Sequence, residues 1–255
     1  MNLKKYKRFF AFGCSFTWYH WPTWADAIAR EIPETYNYGR PASGNFYIFA
    51  SIIEANIKHK FNEDDLIIVM WSSIDREDRY INNKWEAKGS VYHSIDDFYD
   101  KEFVKKYVDP RGCFIRDAST MVAVSSLLKG LDYHYLSMVP FTNTESYKNT
   151  YKAEDDLREF YKDTLKTIKP SVLEVIYNFN WGTRKNIKRK DNGREYTDLH
   201  PTPNMHVEYL QRIFPDLKLS DETIEFMDNE DKMVLSTEYF DPSKYTFSRP
   251  YIDRL

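Results

Sequence analysis

The chain has 255 residues, a formal charge of −3 and a pI near 6.1, so its 36 basic and 39 acidic residues give no electrostatic footing for a nucleic-acid partner. Two cysteines, Cys14 and Cys113, make no disulfide framework. No apolar run approaches the ~20 residues that cross a bilayer, and the first residues run straight into a strand without room for a signal peptide. A cytoplasmic protein, or a component of a virus particle, is expected, with no membrane partner and no cofactor. Aromatic residues make up 17% of the chain, most of it read as compositional habit.

The elements alternate strand and helix, the pattern of a parallel sheet of about five strands with crossover helices. The first strand runs from about Lys7 to Phe12. A helix follows through Trp24, Ala25, Ile28, Ala29 and Ile32, with Pro22 at its start. A short strand ends near Asn37, and a second helix covers about Phe46 to Lys60, with Ile48, Ile52, Ile53 and Ile57 toward the sheet. Leu66 to Trp71 is apolar throughout, as a strand covered on both faces requires. Residues 75–111 are polar and aromatic-rich and read as a helical or irregular insertion. A helix over about Asp117–Leu128, a strand over Tyr133–Val139 and a helix over Ala153–Ile168 follow. Val172–Tyr177 fits a last strand or a helix. A helix over Met205–Phe214 precedes a C-terminal extension after about residue 215. Without a repeat or low-complexity linker, residues 1–255 are read as one domain.

In sheets of this kind ligands bind beyond the carboxyl ends of the strands. The loops there carry Gly13-Cys14-Ser15, Gly39 to Asn45 and Trp71-Ser72-Ser73, and Asp198-Leu199-His200 comes from a later loop. A serine hydroxyl becomes nucleophilic when a base takes its proton, and an imidazole does so when its other nitrogen is held by a carboxylate. Ser15, His200 and Asp198 supply those groups. The developing oxyanion needs donors, for which the candidates are Ser15, Ala42, Gly44 and Ser73 or Ser72. Trp18, Asn45, Trp71 and Arg76 are candidate substrate-binding residues. Arg76 could clamp a carboxylate or phosphate, or pair with Asp75, Glu77 and Asp78.

Phe12-Gly13-Cys14-Ser15-Phe16-Thr17 resembles the first block of the SGNH/GDSL hydrolase superfamily. Asn37 to Asn45 resembles the second block, Val69 to Ser73 stands where the third belongs, and Asp198-Leu199-His200-Pro201 is similar to the last. The resemblance spans about residues 7 to 210. It implies a three-layer α/β/α sandwich with a flavodoxin-like sheet and a metal-independent esterase or deacylase. Four positions depart from the pattern. Cys14 replaces an aspartate, Ala42 a glycine of the oxyanion hole, and Ser73 or Ser72 the third-block asparagine. Asp198 lies two residues before His200, where three is usual and Thr197 stands.

The remaining charged and polar candidates take blander readings. His206 is expected on a helix surface, and His20 likewise at the surface. Arg184, Lys185, Lys188, Arg189, Lys190 and Arg194 are expected to form a solvated loop. The function expected is a serine esterase acting on a small-molecule or glycan ester, removing short acyl groups from a sugar. The alternatives are a non-catalytic glycan-binding or assembly module and an acyltransferase.

Overall fold

The computed structural model describes residues 1–142, 152–184, 187–191, 194–236 and 238–252, without the side chains of residues 191 and 194. Four parallel strands form the central sheet. They are β1 (Arg8–Phe12), β2 (Glu34–Asn37), β3 (Asp65–Trp71) and a fourth (Asp132–Ser137), in the spatial order second, first, third, fourth. Between β1 and β2 lies α1 (Trp24–Ala29), started by a Thr23–Asp26 capping box. Between β2 and β3 lies α2 (Asn45–His59).

Strand alternation divides the core in two. Phe9 and Ala11 of β1, with Leu66, Ile68 and Met70 of β3, face one side, and Phe10, Phe12, Ile67, Val69 and Trp71 face the other. On the second side α2 buries Ile48, Ser51, Ile52 and Ala55, whereas Ile57, expected to face the sheet, is exposed. A helix over Pro110–Leu127 covers the same side with Phe114, Ala118, Met121 and Val124. Helices flank the sheet on both faces, giving the three layers.

The segment after β3 differs from the expected insertion. Arg76–Ile81 (β4) and Lys84–Ser90 (β5) form an antiparallel hairpin, and only then come α3 (Lys101–Tyr107) and α4 (Pro110–Leu127). The turn is Asn82-Asn83, both left-handed at φ 53° and 60°, the conformation of a two-residue hairpin turn that asparagine tolerates. After the fourth sheet strand, now β6 (Asp132–Ser137), the chain forms α5 (Asp155–Phe160), α6 (Lys162–Leu165) and α7 (Val172–Val175).

No fifth strand joins the sheet among the described residues. Beside β6 there is a single bridge, Tyr135 to Ile168, with Lys169 N–H donating to Tyr135 O at 2.8 Å. Pro170 follows and has no N–H to extend a ladder. Val172–Tyr177 is therefore a helical turn, opened by a Ser171–Glu174 capping box.

The expected solvated loop is a hairpin of β7 (Ile187–Asp191) and β8 (Arg194–Asp198). Lys188 and Lys190 are exposed, while Ile187 and Arg189 are buried. Arg184 pairs with Glu208 at 2.8 Å, and Lys185 and the Arg194 side chain lie outside what is described. The chain ends with α8 (Pro203–Ile213) and α9 (Asp221–Leu235), packed on the α1 side. Among the described residues no helix is long and apolar enough to cross a membrane.

Candidate active site

The site begins where β1 stops. At Gly13 an added Cβ would stand 2.1 Å from Thr17 Oγ1 and 3.1 Å from Met70 O, so only glycine lets the chain turn here. The turn closes through Thr17 and Trp18 N–H groups, both donating to Cys14 O, and Cys14 itself is buried against Met138. Ser15 is left at the end of the turn, 5% exposed.

The opposite side comes from β8 and the loop into α8. Thr202 caps α8 and Pro203 opens it. The loop before it is pinned by two side chains, since Trp21 Nε1–H donates to Pro201 O at 2.7 Å and Tyr177 OH to Leu199 O at 3.0 Å. His200 is thereby turned toward Ser15, with Nε2 2.8 Å from Ser15 Oγ. Its Nδ1 lies 2.7 Å from Asp198 Oδ1, which also accepts the His200 backbone N–H at 2.9 Å. Of the neighbouring positions, Asp198 is buried and Thr197 exposed. The two-residue spacing thus places the carboxylate against the imidazole through a tight turn.

Sequence reasoning missed two side chains that complete this arrangement. Tyr19 OH donates to Asp198 Oδ2 at 2.5 Å, and Arg189 Nη1 donates to the same oxygen at 3.0 Å and to Tyr19 OH at 2.7 Å. The Tyr19 ring also stacks on the His200 imidazole, centroids 3.8 Å apart and planes 17° from parallel. The signal for Arg189 was the alternation Ile187, Arg189 against Lys188, Lys190. No local pattern marks Tyr19.

Electrostatics follow the contacts. Burial opposes ionisation of Asp198, but the His200 imidazole, the Tyr19 hydroxyl and the His200 N–H outweigh it and hold the carboxyl well below the usual range. Burial, and then the negative charge of Asp198, pushes the Tyr19 hydroxyl far above an ordinary phenol, so it stays a donor. His206, expected at the surface, is 1% exposed, and burial with a further push from His200 lowers it to about 3. His20 is exposed as expected.

Several sequence candidates stand elsewhere. The Gly44 N–H donates to Asp78 Oδ1 at 2.8 Å and Tyr47 N–H to Asp78 Oδ2 at 2.9 Å, so a carboxylate from β4 caps α2 and occupies the Gly44 donor. Asn45 is fully buried, bridging Ser72 and Asp117, and Trp71 is fully buried against Tyr135 and Phe141. Neither can reach a substrate. The Ser73 hydroxyl donates to Asp75, and Ser72 is equally buried. Trp18 packs under the C-terminal segment, with Arg249 Cζ 3.7 Å above its ring. Ala42 has a left-handed backbone at φ 64°, and its carbonyl accepts from Gly89 N–H.

Beside Asp198 and His200 opens a cavity of about 310 Å³, walled by Phe16, Tyr19, Met138, Trp181 and Leu199 and edged by Arg76, Ser90 and His93. Arg76 therefore does lie at the pocket. Its Nη1 also donates to Ser43 O at 3.2 Å.

No family model matches the chain, and no curated protein matches it. Among solved structures it is similar to a member of the lipolytic protein G-D-S-L family from Veillonella parvula DSM 2008, at 11% identity and TM-score 0.43, over 82% of this chain and 99% of that one. It is also similar to a GDSL-like lipase from Bacteroides thetaiotaomicron VPI-5482, at 13% identity and TM-score 0.41, over 89% of this chain and 90% of that one. The chemistry has to be read from the side chains themselves.

Proposed function

We propose that this protein is a serine-dependent ester hydrolase that removes short acyl groups from a sugar or glycan. The observation that carries the reading is the hydrogen-bonded line from Ser15 Oγ through His200 to Asp198, at 2.8 and 2.7 Å. Both distances lie within the reach that proton transfer requires.

Ser15 Oγ attacks the ester carbonyl carbon while His200 Nε2 takes its proton. The imidazolium is stabilised by Asp198 and returns that proton to the departing alkoxide. Water, deprotonated by the same nitrogen, then opens the acyl-serine, releasing the acid and restoring the hydroxyl. We assign the oxyanion to the N–H groups of Ser15 and Ala42. The left-handed conformation of Ala42 belongs to the turn Arg40-Pro41-Ala42-Ser43, closed by Ser43 N–H donating to Arg40 O, and that turn packs beside Gly13 through Arg40 N–H and Ser43 Oγ, both donating to Gly13 O. A cavity near 310 Å³ stands at the small end of ligand pockets and suits an acyl group of few carbons. The exposed ring of Tyr196 beside it suits a sugar face.

A fluorophosphonate probe should label Ser15, and Ser15→Ala should abolish acetate release from p-nitrophenyl acetate and from acetylated sugars while leaving the Tm nearly unchanged. Failure to label Ser15 under conditions that label a control serine hydrolase, or full activity in Ser15→Ala, overturns the proposal.

A further inference from the structure

We infer that Tyr19 and Arg189 are positioning residues for the Ser15–His200–Asp198 line, together fixing the carboxylate of Asp198 and the plane of the His200 ring. The inference rests on the hydrolase reading and deepens it.

An ionised carboxylate has about four acceptor sites, and Asp198 uses all four. Oδ1 takes the Nδ1–H and backbone N–H of His200, and Oδ2 takes Tyr19 OH and Arg189 Nη1. A carboxylate held at one oxygen can swing, whereas one held at both cannot leave Nδ1. Arg189 and Tyr19 are also joined to each other, so the segment after β1 and both strands of the β7–β8 hairpin close one network. The Asp198 and Arg189 side chains are 1% and 5% exposed, leaving little water to replace a lost partner. Tyr19 acts twice. Its hydroxyl holds the carboxylate, while its ring lies parallel to the imidazole at 3.8 Å, where the π face meets the positive charge formed on proton transfer.

The test compares Tyr19→Phe, Arg189→Met and Arg189→Lys by kcat and KM for p-nitrophenyl acetate over a range of pH, and by NMR titration of the His200 ring. Tyr19→Phe and Arg189→Met should each lose about tenfold to a hundredfold in kcat with little change in KM. Arg189→Lys, which keeps the charge, should recover part of the loss. Removing a cation from beside the carboxylate leaves the imidazolium better stabilised. The ring titration and the acid limb of kcat/KM should therefore move to higher pH in Arg189→Met. The other charged or titratable groups facing the pair are His20, Arg76, His93, Tyr196, His206 and Arg249, of which His20 and Tyr196 also feel the Arg189 charge, which Tyr19→Phe leaves in place. Unaltered kcat with an unmoved ring titration overturns the inference, as does a lower Tm with neither readout changed. If Arg189→Met does not fold, Tyr19→Phe decides by the same measurements. The ring titration needs no turnover, so an active Ser15→Ala would sink the hydrolase reading while leaving this test intact.

Discussion

Replacing Asp198 by asparagine tests the proposed chemistry most sharply, because the structure dictates what the new amide can do. The carboxylate faces donors on every side: His200 Nδ1–H and N–H at one oxygen, Tyr19 OH and Arg189 Nη1 at the other. Arg189 can only donate, so the amide oxygen must turn toward it and the NH2 toward His200. That NH2 then opposes the His200 backbone N–H and forces Nδ1 to accept. The ring proton moves to Nε2, where it points at Ser15 and cannot take the serine proton. In a serine–histidine–aspartate site that wrong tautomer costs about 10⁴ in kcat, or about 5.5 kcal/mol. Stability falls too, since removing one partner of a buried ion pair costs about 3–5 kcal/mol. At the lower end this is a drop of about 6–12 °C in Tm for a chain of this size. The assay is kcat on p-nitrophenyl acetate with thermal unfolding of the same samples, corrected for folded fraction. An Asp198→Asn enzyme within about tenfold of the parent would refute the reasoning.

Gly13→Ala should lose at least about a hundredfold in kcat and also lower the Tm, because the added Cβ falls 2.1 Å from Thr17 Oγ1 and must displace the turn that carries Ser15. Full activity in that variant would show that the turn does not set the serine. The acid dependence of stability has a definite sign. Asp198 is held well below the usual carboxylate range in the folded chain, whereas in the unfolded chain it protonates near ~3.9. Its contribution is therefore complete above about pH 4 and is lost as the pH falls further. Urea unfolding of the parent and Asp198→Asn between about pH 6 and pH 2 should show their difference shrinking toward the acid end, and a constant difference would contradict it.

The central strands were legible because Phe9–Phe12 and Leu66–Trp71 are short, continuously apolar runs, as strands covered on both faces must be. The structure sends Phe9 and Ala11 to one layer and Phe10 and Phe12 to the other. The strand–glycine–serine break at Gly13 was legible for a similar reason, since a turn this tight leaves a mark in composition. Other features hid in residues with two uses. Asn82-Asn83 marks a hairpin only if both adopt the left-handed conformation, and in a polar, aromatic segment it passed as part of a helical insertion. Val172–Tyr177, which fits a strand or a helix by pattern alone, forms a helical turn, and beside β6 stands only a single bridge at Ile168. Asn45, Trp71 and Gly44 sit at the right edge of the sheet, but their partners, Ser72, Tyr135 and Asp78, turn them inward or occupy them.

By itself the sequence determined which chemical groups the chain carries, which segments are strands buried on both faces, and which turn carries a serine at the strand end. These depend on neighbours a few residues away. The meeting of Ser15 with His200, 185 positions apart, and of Tyr19 with Asp198, 179 apart, was decided only by the tertiary structure. Strand order and register set how far apart two loops end, and neither quantity is written in any local pattern. Arg189 shows the difference most plainly, since alternation turned it inward, but only the packed hairpin decided that a carboxylate would be waiting there.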